Sequence, residues 1–184
     1  MSEREEPSSG EAPQLGERSV TDMKALEPAD IAAVTAQLGR EPRGARAVAH
    51  RCPCGLPDVV ETTPRLADGS PFPTLYYLTC PWATGAVSAL ESAGLMREMN
   101  GRLAEDPELA GRYRAAHERY LARREEIGHV AEIAGVSAGG MPTRVKCLHV
   151  HVAQALAEGP GVNPFGDETL ERICPWWTDG PCLP

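Results

Sequence analysis

Six cysteines and five histidines stand in a chain of 184 residues. The cysteines are Cys52, Cys54, Cys80, Cys147, Cys174 and Cys182, and His149 and His151 follow closely on Cys147. Thiolates and imidazoles are the usual protein ligands of zinc, and a set of four thiolates also suits an iron–sulfur cluster. The chain contains no Cys-x-x-Cys knuckle. Its near pairs are Cys52-Pro-Cys54 and Cys147-Leu-His149, so a metal site has to be assembled from distant segments. Cys52, Cys80 and Cys174 are each followed by proline, as is the last cysteine of a ferredoxin-type run. Two other uses stay open for the same residues. A buried free thiol is a small hydrophobe, and a thiol of lowered pKa is a nucleophile.

Helical spacing constrains the Cys147 group. At 3.6 residues per turn, Val145, Leu148, His149, Val152 and Leu156 fall on one stripe, while Cys147 and His151, four apart, lie on the other side. A regular helix therefore cannot aim all three at one ion. Either Cys147 and His149 occupy a less regular first turn, or His149 is a core histidine with an ordinary hydrogen-bond partner. At a helix N-terminus the dipole would lower the Cys147 pKa and suit it to ligation or nucleophilic attack.

A second constellation is basic. Arg40, Arg43, Arg46 and Arg51 run up to Cys52, and arginine forks bind phosphate bidentately, so Arg40, Arg43 and Arg51 make a candidate site for a small anion. The competing use is salt bridging to the chain's own 26 acidic residues. The loop Gly135 to Pro142 precedes an expected helix from about Thr143 and can cradle an anion there. It lacks the Lys-Ser/Thr ending of a P-loop. Neither a Gly-x-Ser-x-Gly elbow nor a His-Glu-x-x-His pair is present. Trp176 and Trp177 can stack on a ligand or anchor the chain end.

The elements that must position these residues read as follows. Residues 1–24 form an acidic, Glu/Ser/Pro/Gly-rich tail that cannot bury enough apolar surface to order itself. Residues 25–184 form one α+β domain, a small β-hairpin or sheet covered by several helices, and 18 Gly and 17 Pro make it rich in loops. A helix is expected at Pro28 to Leu38 and strands from Val48 to Cys80 around an Asp68-Gly69 turn. Helix is expected again from Pro81 to near Gly94, and from Pro107 to Ile127 with Asp106 as cap. The arginines of that long helix read as a solvated face. Helices at Thr143 to Ala157 and Asp167 to Ile173 complete the set.

A net charge of -8 argues against a general nucleic-acid binder. No stretch approaches the ~18 apolar residues of a membrane span, and the start carries no apolar export signal. The expected compartment is the cytoplasm, where reduced thiols favour metal ligation or catalysis over disulfides.

Several segments, in order, resemble the bacterial domain-of-unknown-function family DUF501: Gln37-Leu-Gly-Arg40, Pro42-Arg43-Gly44, Arg51-Cys52, Gly69-Ser-Pro-Phe-Pro-Thr74, Leu78-Thr-Cys-Pro81, Lys146-Cys-Leu-His149 and Asn163-Pro-Phe-Gly166. The resemblance implies an uncharacterised, actinobacterial-type protein. The family's genes neighbour those of a septum-formation initiator and an exopolyphosphatase-type phosphatase, which implies partners in cell division or phosphate metabolism. It marks Arg40, Arg43, Cys52, Cys80, Cys147, His149 and Asn163. It implies a lesser role for Cys54, where the family carries an aromatic residue, and for Cys182, which lies outside the motifs. The leading expectation is a metal-binding domain in which Cys52, Cys80, Cys147 and either His149 or Cys174 hold one zinc ion or iron–sulfur cluster. The alternatives are a thiol or phosphate-ester enzyme using Cys147 and His149 beside the arginines, and an adaptor for division proteins that uses the long helix and the Trp-Trp end.

Overall fold

The computed structural model describes residues 23–178 and 180–183, so the expected tail lies outside the described residues up to residue 22. The fold is α+β. Four antiparallel strands, β1 (Lys24–Ala25), β2 (Ala45–Arg51), β3 (Pro57–Thr62) and β4 (Tyr76–Leu78), lie in sequence order across one sheet. Val48 pairs with Val60 and Val59 with Leu78. Every residue of β3 is buried, including Asp58 and Glu61, so this central strand is covered on both faces.

Six helices surround the sheet: α1 (Pro28–Leu38), α2 (Pro81–Ser92), α3 (Leu95–Glu105), α4 (Pro107–Ile127), α5 (Leu148–Glu158) and α6 (Pro164–Ile173). Helix α5 lies against β2, β3 and β4 and beneath α6, and it is buried from His151 to Glu158. A helix buried on nearly every side is a core element rather than an amphipathic cover. Among the described residues, no helix is long and apolar enough to cross a membrane.

Helix ends follow the local chemistry. Gly39 closes α1 in the left-handed region at φ 67°, where a Cβ would be strained. The Asp106 carboxylate accepts the amides of Glu108 and Leu109, and Pro107 sits in the first turn, where its missing N–H costs nothing. Asn163 caps α6 in the same way through Phe165 and Gly166.

Four expectations need correction. The long second strand expected from Phe72 to Cys80 is only Tyr76–Leu78, because amides before it turn away from β3: the Phe72 amide donates to the Pro64 carbonyl and the Leu75 amide to the Tyr120 hydroxyl. The expected hairpin around Asp68-Gly69 is present as β3–β4, but a second, tighter hairpin turn at Cys52 to Leu56 divides the first half of the expected strand region into β2 and β3. Helix α5 starts at Leu148 rather than Thr143, because the amides of Arg144 and Lys146 fold back on the carbonyls of Gly140 and Gly139. The arginines of α4 are not all solvated: Arg124 is 1% exposed and donates to the carbonyls of Pro73, Ile133 and Val136.

Candidate metal centre

The β2–β3 turn is a five-residue loop, Cys52-Pro-Cys-Gly-Leu56. The Cys52 amide donates to the Leu56 carbonyl at 2.9 Å and the Gly55 amide to the Cys52 carbonyl at 2.8 Å. Gly55 takes φ 90°, which a side chain would resist, and this tight geometry holds Cys52 and Cys54 together. Cys80 enters from the end of β4 as the cap residue of α2. Cys182 comes from the C-terminal segment, which Trp82 fastens by donating its indole N–H to the Pro181 carbonyl at 3.1 Å.

These four cysteines converge. The Cys182 sulfur lies 2.9 Å from that of Cys80 and 3.4 Å from that of Cys54. The sulfurs of Cys52, Cys54 and Cys182 are all within 4.8 Å of one another. Cys52, Cys80 and Cys182 are buried and Cys54 is half-buried. Burial pushes the Cys52 thiol up to about 11 and, joined by Cys80, raises that of Cys182. Burial also acts to raise Cys54, but the amides of Cys182 and Leu56 outweigh it and leave this thiol below its ordinary value. A divalent cation at the centre of the cluster would favour the thiolate form of each sulfur that it binds.

A second group forms where α5 begins. Cys147 is the cap residue in extended conformation, at φ −155° and ψ 113°, so His149 in the first turn comes round beside it. This is the irregular first turn that the sequence left open. The Cys147 sulfur is 3.7 Å from His149 Nδ1, and Glu91 of α2 places Oε1 at 3.2 Å from the same nitrogen. Glu91 Oε1 also accepts the Leu148 amide at 2.7 Å, capping α5 from outside it. The Cys147 sulfur chiefly raises the His149 pKa, against the opposing effect of burial.

The expected ligand set is therefore divided. Among the described residues, Cys147 and His149 group with Glu91, and Cys52 groups with Cys54 and Cys182. Cys54 and Cys182, given lesser roles by the resemblance, stand inside the thiol cluster, because the tight turn and the returning C-terminus bring them there. Cys174 is exposed and belongs to neither group; burial of its sulfur still raises its pKa. The arginines divide too. Arg51 donates to both oxygens of Asp30 at 2.8 and 2.9 Å, and this pairing lowers the Asp30 pKa. Arg40 and Arg43 border a separate cavity of about 170 Å³ with Tyr77 and Thr74, and Arg43 reaches Asp68 at 3.5 Å. Trp176 is buried and meets Trp177 edge-on, so the Trp-Trp end rests on the protein's own core.

One feature had no counterpart among the expectations. A cleft of about 720 Å³ runs beside the thiol cluster, lined by His50, Cys52, Leu156, Asp167, Leu170 and Cys174. Behind its wall the Nδ1–H of His50 donates to buried Asp58 at 2.7 Å, which leaves Nε2 as the free nitrogen of the ring. The available signal was the pair of carboxylates, Asp58 and Glu61, within the otherwise apolar run of β3.

A family model described as a protein of unknown function, DUF501, matches residues 48–171. That span contains Cys52, Cys54, Cys80, Glu91, Cys147 and His149 and ends before Cys174 and Cys182. No curated protein and no solved structure matches the chain.

Proposed function

The chain belongs to the DUF501 family of proteins of unknown function, and within that family we propose that it is a zinc-binding protein whose ion is held by Cys52, Cys54, Cys80 and Cys182. The observation that carries this reading is the position of the Cys182 sulfur, at 2.9 Å from Cys80 and 3.4 Å from Cys54 and within reach of Cys52. Four thiolates about 2.3 Å from one tetrahedral zinc stand roughly 3.8 Å apart. Cys52, Cys54 and Cys182 lie within 4.8 Å of one another, and Cys80 adjoins this group through Cys182, so four-fold ligation would draw the Cys80 sulfur inward. A four-iron cluster instead spreads its thiolates over separate irons, so the close spacing favours a single ion over an iron–sulfur cluster.

Four protein ligands leave zinc no open position, which is the arrangement of structural rather than catalytic sites. The ion would join the β2–β3 turn, the start of α2 and the C-terminal segment. Cys182 lies beyond the span of the family match, so this site belongs to the whole chain and not to the matched core alone.

Elemental analysis of protein purified without oxygen tests the reading. One zinc per chain is expected from this site, lost on Cys54→Ser and Cys182→Ser exchange. Chelation should lower the midpoint of thermal unfolding by more in the parent than in the double variant. Iron with inorganic sulfide would replace zinc by a cluster. Metal-free protein carrying a Cys80–Cys182 disulfide on peptide mapping would overturn the proposal.

A further inference from the structure

We infer that Glu91, Cys147 and His149 form a second centre for a zinc-class divalent cation, one that keeps an exchangeable coordination position. It shares no residue with the thiolate site.

The separations match those of a shared ion. Zinc–sulfur and zinc–nitrogen bonds of about 2.3 and 2.0–2.1 Å at tetrahedral angles set sulfur and nitrogen about 3.6 Å apart, and nitrogen and carboxylate oxygen about 3.4 Å apart. Here Cys147 Sγ and His149 Nδ1 are 3.7 Å apart, and His149 Nδ1 and Glu91 Oε1 are 3.2 Å apart. All three ligand atoms lie within 4.8 Å of one another.

The far side of the imidazole supplies an independent observation. His149 Nε2 lies 3.3 Å from the Thr84 carbonyl and 3.4 Å from Ser88 Oγ. A carbonyl only accepts, so Nε2 carries a proton and Nδ1 is the ring nitrogen turned toward Cys147 and Glu91, where a cation would take the place of any proton it holds. A histidine ligand oriented by a carbonyl behind it is the usual outer-shell arrangement of metal sites. A thiol and a carboxylate both converge on that one ring nitrogen, Nδ1.

Glu91 retains capacity for the ion while capping α5, because Oε2 has no hydrogen-bond partner among the described residues. The His149 and Glu91 side chains remain 24% and 22% exposed, which leaves one side of the group open to solvent. Three mixed protein ligands with an open fourth position are the arrangement in which zinc binds and polarises a water molecule or takes an anion.

Cobalt(II) titration of the full chain, freed of metal by chelation under reducing conditions, tests this centre with the metal alone as probe. Two equivalents with thiolate-to-cobalt absorption are expected. His149→Ala and Cys147→Ser should each bind one equivalent fewer than the parent, with unchanged far-ultraviolet circular dichroism; both variants leave the Glu91 cap of α5 in place. Thiocyanate added to the Cys54→Ser/Cys182→Ser variant should shift the remaining cobalt bands. Equal metal content in the parent and the His149→Ala variant overturns the centre, and bands indifferent to thiocyanate overturn its open position. If the thiolate site fails, one equivalent sensitive to His149→Ala still supports this centre.

Discussion

The Nδ1–H of His50 meets the Asp58 carboxylate at 2.7 Å, and the other Asp58 oxygen is buried with no partner among the described residues. The pair lies on adjacent strands, with Asp58 fully buried and His50 facing the cleft. Its two halves are not equivalent. Removing Asp58 leaves one ring N–H short of an acceptor, whereas removing His50 leaves a buried carboxylate with neither oxygen paired.

The first prediction rests on that asymmetry. Asp58→Ala should cost about 1–3 kcal/mol, the usual penalty for one orphaned buried polar group. His50→Ala should cost about 3–5 kcal/mol, the range for an uncompensated buried charge. Urea unfolding of both variants checks the order. Equal costs would mean that the carboxylate finds water through the cleft once the ring is gone.

Glu61 gives a second case. Its side chain is fully buried in β3 and takes ion pairs from Arg46 of β2 and Arg123 of α4, the latter at 2.7 Å. Arg123 is 20% exposed and Arg46 40% exposed. Exposure screens a pair, so Arg123 holds the larger share of the compensation. Arg123→Ala should cost about 2–4 kcal/mol and Arg46→Ala about 1 kcal/mol or less, read from chemical denaturation. A double-mutant cycle should show coupling between them, since each partly covers the loss of the other.

The secondary structure was most legible where capping and periodicity agreed. Helix α4 follows its sequence reading at both ends because Asp106 and Pro107 start it and its tyrosines repeat on one face. Helix α3 went unread: Gly94 was taken as a stop, although Leu95, Met99 and Leu103 carry the buried stripe of another helix. The candidate metal ligands show the limit of spacing. Cys147 and His149 are neighbours in any reading, but Glu91 is one acidic residue among many, and only the packing of α2 against α5 selects it. Cys80 and Cys182 are 102 positions apart, and their meeting depends on how the last segment folds back over α2. Residue type pointed to metal chemistry; tertiary structure decides which residues stand close enough to share an ion.

Stability should fall in mild acid through His151. This ring is fully buried between Tyr113, whose hydroxyl lies 3.0 Å from Nε2, and Asn163, whose amide faces Nδ1 at 3.3 Å. Burial lowers its pKa from 6.5 to about 4. The unfolded chain then binds more protons than the folded one between those values, so stability present above pH 6.5 declines as the pH falls toward 4. His117, also lowered by burial, acts in the same direction, and His149, raised chiefly by Cys147, acts in the opposite one. The His151 contribution reaches at most about 3 kcal/mol. Denaturation of chelator-treated protein across this range should show the decline, and a His151→Gln variant should flatten it.

Gly166 supplies the sharpest steric test. It lies in the Asn163-Pro-Phe-Gly166 motif where α6 crosses the buried α5, and a Cβ there would strike the His151 carbonyl and stand 2.8 Å from the Ala155 methyl. Neither neighbour can give way as a flexible side-chain tip would. The carbonyl belongs to the α5 backbone, and the methyl is fixed directly to it. Ordinary helix propensity favours alanine over glycine by about 1 kcal/mol. The collision reverses that sign: Gly166→Ala should destabilise by about 1–3 kcal/mol, the cost of overpacking a tight core. Gly101→Ala in α3, where nothing lies within 4 Å of the added methyl, should instead be neutral or stabilising. Thermal melts of the two variants compare one substitution in two environments. If both gained stability, α5 and α6 would have to separate without penalty, and the close approach of the two helices would not be what this glycine provides.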